Sequence, residues 1–166
     1  MLIKSKIIVS NTSPILNLAI IKRLDLLKHF FKVIHIPKKV WKELKIDVKN
    51  REETRLIKEA DFLKIHSIKD INLYRLLKKD LDEGESEAIC LSIELKSDLI
   101  LLDESEARRI ADIYNLKKTG VLGILLKAKK ENLILSLEDE IQKLKEDAGF
   151  FISLELEESL LVEAGE

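Results

Sequence analysis

The sequence predicts an α/β domain with a mostly parallel central sheet. Three observations carry this. Ile7-Ile8-Val9 and Leu99-Ile100-Leu101-Leu102 are short runs of Ile, Val and Leu, as buried strands require. Each run is followed by a helical pattern, so strands and helices alternate along the chain. Each also ends in a polar residue, Asn11 after Ser10 in the first case and Asp103 in the second. In an open parallel sheet, ligands bind beyond the carboxyl ends of the strands. Asn11 and Asp103 are therefore predicted to face a functional crevice.

The remaining elements follow in order. A helix is expected to begin at Pro14, with Ser13 or Thr12 as its cap and Ile15, Leu16, Leu18 and Ala19 on its apolar face. That face continues into a second segment carrying Leu24, Leu26, Leu27 and Phe30. A strand is predicted over Lys32–Ile36, after which Pro37 opens a helix containing Val40, Trp41 and Leu44. The charged stretch Asp47–Ala60 reads as a surface helix. Phe62–Ile68 alternates apolar and polar residues, as an edge strand does. A charged helix around Leu73–Lys78 precedes the apolar helix Ala88–Leu95. Beyond strand Leu99–Leu102, Glu104–Tyr114 reads as a helix, Thr119-Gly120 as a turn and Val121–Lys130 as a helix. Ser136 caps a helix reaching Lys145, with Asp139 at its third position, and Gly149 stops it. A final helix runs from Ser153 to about Leu161.

Bulk properties narrow the class. At 166 residues the chain suits one domain, 1–166, with the segments from about 136 onward packing on it. Hydrophobic residues at 46% with 36% charged describe a soluble globular protein, and no apolar stretch approaches the ~20 residues of a membrane span. The N-terminus leads directly into a strand without a signal-peptide pattern. The single cysteine, Cys90, fills an apolar helical run, so a cytoplasmic location is expected. Abundant Lys, Glu and Ile with one Gln suggest a thermophilic source. The net charge of −1 hides an asymmetry, since residues 1–79 carry 19 basic and 8 acidic side chains and the remainder is correspondingly acidic. Either the two signs interleave in three dimensions, or the split serves a polyanion partner or charge-complementary self-association.

Several chemistries are excluded. Gly120 and Gly123 lack the lysine and hydroxyl of a phosphate-binding loop. His29, His35 and His66 lack metal-ligand spacing, and no serine sits in a nucleophile-elbow pattern. What remains is oxygen chemistry by carboxylates. Glu43 follows the second strand on the helix opened by Pro37, Glu87 lies at the start of the helix that follows it, and Asp103 ends a buried strand. Each of the two glutamates also has an ordinary reading, as a solvated partner for lysine or as a charge favoured by a helix dipole. If the acids converge they repel, by roughly 3 kcal/mol for a pair about 5 Å apart at an effective dielectric near 20. A hard cation, Mg²⁺ or Mn²⁺, would offset that cost.

The residues that carry this chemistry lie in segments with a familiar order: Ile8-Val9-Ser10-Asn11-Thr12-Ser13-Pro14-Ile15, Ile36 to Glu43, Leu81-Asp82-Glu83-Gly84-Glu85-Ser86-Glu87-Ala88-Ile89, Leu99 to Arg108, and Thr119 to Leu125. In this the chain resembles the PIN-domain superfamily, in particular the PIN-like branch related to VapC-type toxin ribonucleases. The resemblance implies a three-layer α/β/α sandwich and an acidic site that binds Mg²⁺ or Mn²⁺ and cleaves RNA. Matched position by position, it places the site at Asn11, Glu43, Glu87 and Asp103; in a ribonuclease of this type, lysines of the basic N-terminal half together with Arg108 would contact the RNA backbone. It further implies a small antitoxin partner and a homodimer. Two departures accompany it: the first acid is the neutral Asn11, and Leu101 stands where a hydroxyl is often found. The reading therefore divides between a metal-dependent endoribonuclease and a catalytically degenerate module that binds RNA or a protein. A phosphate-binding α/β domain, using backbone donors near Ser13 or Thr119-Gly120, is a third alternative.

Overall fold

The structure is a computed structural model and describes residues 5–46 and 51–166. Five parallel strands form one sheet: β1 (Ile8–Ser10), β2 (Ile34–Pro37), β3 (Leu63–His66), β4 (Leu99–Leu101) and β5 (Lys118–Thr119), in the order β3-β2-β1-β4-β5. The chain moves outward from β1 through β2 to β3, then returns to the other side of β1 for β4 and β5. The topological switch point thus lies between β1 and β4, which pair in register from Ile8↔Leu99 to Ser10↔Leu101. This is where an open parallel sheet forms its ligand crevice.

Alternation along the central strands divides the core between two layers of helices. Ile8 and Leu101 belong to a core shared with α1 (Thr12–Ile20), α2 (Asp25–Phe31), α3 (Lys38–Ile46), α8 (Val121–Lys130) and α9 (Leu137–Ala148). Val9, Ile100 and Leu102 instead pack with α6 (Glu83–Leu95) and α7 (Ser105–Ile113), beside α5 (Ile71–Leu77). The protein is therefore the expected three-layer α/β/α sandwich, and its sheet is parallel throughout. Burial on both faces explains why β1 and β4 read as continuous apolar runs. No helix among the described residues is long and apolar enough to cross a membrane.

Several boundaries depart from expectation. Helix α1 begins at Thr12, and the residue at its cap position is Asn11. Pro14 falls within the first turn, where its missing N–H costs nothing. Helix α6 begins at Glu83, not Ala88, because Asp82 accepts from the Glu85 N–H while the Glu85 carboxylate accepts from the Asp82 N–H. That reciprocal box satisfies two otherwise orphaned donors. Strand β5 occupies the expected turn at Thr119, held by hydrogen bonds with β4 and the residue after it. The charged stretch expected at Asp47–Ala60 contains α4 (Arg51–Lys58), with 47–50 outside the described residues. It is more than a solvated surface helix, since Ile57 and Glu53 are buried.

The two charge classes interleave in part. Arg23, after α1, forks onto buried Glu140 of α9 with bonds of 3.1 and 2.7 Å, and Lys143 adds a third at 2.9 Å. Burial pushes the Glu140 carboxyl up, but these cations outweigh it and hold it below its ordinary range. Its stabilising contribution is therefore present above the ordinary carboxylate range and lost as pH falls through the depressed value. Arg23→Ala would strand this buried carboxylate with Lys143 alone. The expected loss is about 3 kcal/mol at pH 7, shrinking in acid, as measured by urea unfolding at both pH values.

Candidate metal centre at the strand ends

The site is built where β1 and β4 end side by side. The Asn11 N–H donates to the Leu101 carbonyl at 3.1 Å, continuing the pairing one step past the strand. Asn11 is 3% exposed and has the extended backbone of a helix cap. An Asn there ordinarily accepts a bond from the helix's first N–H groups. This one makes no side-chain cap bond, and its Oδ1 is buried without a partner. An orphaned buried acceptor of this kind costs about 1–3 kcal/mol unless something outside the chain satisfies it.

Asp103 lies two residues past β4. Its Oδ1 accepts from the Val121 N–H at the start of α8 (2.8 Å), and its Oδ2 from Asn17 of α1 (3.3 Å). Burial pushes its carboxyl up to about 6 against these two donors, and the neighbouring Glu104 adds to the rise while Arg108 opposes it. Gly120 is what lets the chain pass so close. A Cβ there would stand 2.4 Å from Asp103 Oδ1 and 2.9 Å from the Leu102 carbonyl oxygen. Arg108 donates to that same carbonyl at 2.8 Å, so it braces the strand end beside Asp103.

Glu43 projects from α3 toward the start of α6. The Thr12 hydroxyl donates to its Oε2, and a Cβ on Gly84 would lie only 2.6–2.8 Å from its two oxygens. Burial pushes this carboxyl up; Asp82 and Glu83 push the same way, whereas the Thr12 bond and Lys39 pull it down. Glu85 is also raised, by burial first and then by Asp82, Glu104 and Glu43, despite its backbone hydrogen bond. For both carboxyls burial, more than any neighbouring charge, is the main cause of the rise. Glu87 ties α6 to α3. Its Oε2 accepts from the Lys39 N–H at 3.0 Å, satisfying a donor in the first turn of α3.

The structure thus ties Thr12 to Glu43, Asn17 to Asp103 and Glu87 to the α3 terminus. It shows no hydrogen bond directly between any two of Asn11, Glu43, Glu87 and Asp103 among the described residues. Nor do three His, Cys, Asp or Glu side chains gather into a ready-made metal cage among them. Thr12, Asn17, Gly84, Glu85 and Gly120 are site neighbours that sequence reasoning missed. Asn17 had a signal, a polar residue inside an apolar helical run; Glu85 had one in its spacing from Asp82.

A family model described as a PIN domain matches residues 7–166. The chain is a member of the PIN-domain family. The match spans every strand of the sheet and both strand ends. No curated protein matches the chain. PIN domains generally use divalent metals, and the donor set here can be tested against that requirement. Every candidate ligand is oxygen, from Asp103, Glu43, Glu87 and the unsatisfied Asn11 amide, as Mg²⁺ and Mn²⁺ prefer. Mg²⁺ commonly takes one or two carboxylates and keeps several waters, so it does not need a three-acid cage. In kind and in charge, the residues of this PIN domain fit such an ion.

Proposed function

We propose that this PIN-domain protein is a Mg²⁺- or Mn²⁺-dependent endoribonuclease of the VapC toxin type, with its metal held at the ends of β1 and β4. The reading rests on an orphaned Asn11 oxygen and a half-buried Asp103, whose carboxyl burial pushes up, at the two strand ends beside the sheet's switch point. Asp103 and Glu43 would hold the ion as anions, and Asn11 as a neutral donor. Glu87, whose Oε2 accepts from the Lys39 N–H, would offer its Oε1 to the ion. A bound divalent cation supplies Lewis acidity toward a phosphodiester and lowers the pKa of attached water.

The chain's own groups supply the rest. Thr12 orients Glu43, while Asn17 and the Val121 N–H fix the Asp103 carboxylate. Arg108 brings positive charge to the same edge, where it would meet an RNA phosphate. A small antitoxin protein and a homodimer belong to the same toxin-type reading and are tested by co-purification and solution mass.

The experiment is incubation of the purified protein with single-stranded RNA in Mn²⁺, in Mg²⁺ and in EDTA. Endonucleolytic cleavage is expected with either metal and none in EDTA. With metal held below saturation a proton and the metal compete for Asp103, so under that condition the rate is expected to rise as pH passes upward through about 6. A rate indifferent to pH between 5 and 7 would detach Asp103 from the chemistry. The neutral Asn11 favours a second reading, a PIN domain that has kept its fold but lost catalysis. RNA left intact by the natural chain but cut by Asn11→Asp would establish it.

A further inference from the structure

The opposite edge of the sheet carries a feature that the strand-end site does not use. A cleft of about 1150 Å³ opens where the strands begin, with Ile8 of β1 and Leu99 of β4 in its floor. That volume exceeds the usual small-molecule pocket, and its walls are basic. Lys6, Lys32, Lys64, Lys117 and Lys127 line it, against one acid, Asp98, whose carboxylate is already bonded to the Ile7 N–H at 2.7 Å.

Several lysines elsewhere pair with acids, as Lys39, Lys78, Lys130 and Lys145 do. Lys6, Lys32, Lys64 and Lys117 form no ion pair among the described residues, and Lys127 makes only a 3.9 Å contact with Glu131. In a chain with slightly more acids than bases, five such cations around one cleft concentrate unneutralised charge. They are also spread out. Lys64 lies on β3 and Lys117 just before β5, the two outer strands, about 19 Å apart at ~4.8 Å per strand spacing. A single phosphate cannot meet such a row, but a chain of phosphates can. The row is long enough to follow a few successive phosphates of one strand. Phe30 and Phe31, half-buried in the same wall, offer ring surface for bases, and Lys127 sits 4.8 Å from the Phe30 ring centre.

We propose that this cleft is a second polyanion site that binds single-stranded RNA along its backbone, on the face opposite the acidic strand ends. The choice of RNA rests on the nuclease reading; the charge and span of the cleft do not. Binding is read by fluorescence anisotropy of a labelled 12-nucleotide RNA with the full chain in EDTA, where cleavage cannot occur. Failure here is thereby separable from failure of catalysis. Lys64→Ala with Lys117→Ala removes exposed charges from the two ends of the row. This pair is expected to weaken binding at least tenfold and to flatten the logarithmic salt slope by about 1.4. Lys42→Ala with Lys58→Ala, equally exposed on α3 and α4 and outside the cleft, is expected to change it less than twofold. Equal losses from both pairs would overturn the proposal in favour of diffuse charge. No RNA binding in EDTA, or complete displacement of RNA by equimolar polyglutamate, would overturn it as well, the latter assigning the cleft to an acidic peptide.

Discussion

Asp103→Asn is expected to lower Mn²⁺-dependent RNA cleavage about a thousand-fold, which corresponds to the several kcal/mol a metal contributes to stabilising transition-state charge. The substitution keeps the size of the side chain and removes its charge. An Asn at 103 can still accept the Val121 N–H, and Asn17 can turn its amide to meet the new donor. Burial already pushes the natural carboxyl up to about 6. A carboxyl raised in the folded state binds protons that the unfolded chain has released, so it subtracts stability as pH climbs from about 4 through 6. Removing it is expected to leave the metal-free protein at least as stable at pH 7. Activity lost without stability lost is the signature of a ligand. A variant that is inactive because it unfolds in less urea would place Asp103 among structural residues.

Asn11→Asp is expected to act with opposite signs in the two metal states. In EDTA it buries a second charge near Asp103 and should destabilise the protein by about 1–3 kcal/mol. In Mn²⁺ the same charge attracts the ion, and affinity is expected to rise about tenfold with a matching gain in melting temperature. Thermal melts of both proteins in EDTA and in saturating Mn²⁺ give all four values. A variant destabilised equally in both buffers would show that no cation reaches the β1 end. The orphaned Asn11 oxygen would then be simple strain in the fold.

The strands most legible in the sequence were those buried on both faces. β1 and β4 announce themselves because a helix layer covers each side and nearly every residue is apolar, Ser10 excepted. β5 has two residues, too few for any period to register, and only pairing with β4 defines it. The start of α6 was hidden for another reason. Asp82 and Glu85 form a cap whose acidic composition resembles a loop until their spacing is noticed. The strand-end positions of Asn11 and Asp103 followed from topology alone. Their surroundings did not, because Thr12 meets Glu43 and Asn17 meets Asp103 only after α1 has packed across the sheet. Glu87 shows the same limit from the other side. Its place near the start of a helix was legible, but its bond to the Lys39 N–H depends on α3 and α6 lying together.

A cation held at the ends of β1 and β4 through Asp103 can be counted directly. Titrating Mn²⁺ into the metal-free protein and reading free Mn²⁺ by electron paramagnetic resonance does so without reference to any substrate. One ion per chain is expected for the natural protein, with affinity lost at least tenfold in Asp103→Asn and gained in Asn11→Asp. Mn²⁺ binding that is absent from the natural protein, or unchanged by both substitutions, would contradict such a site.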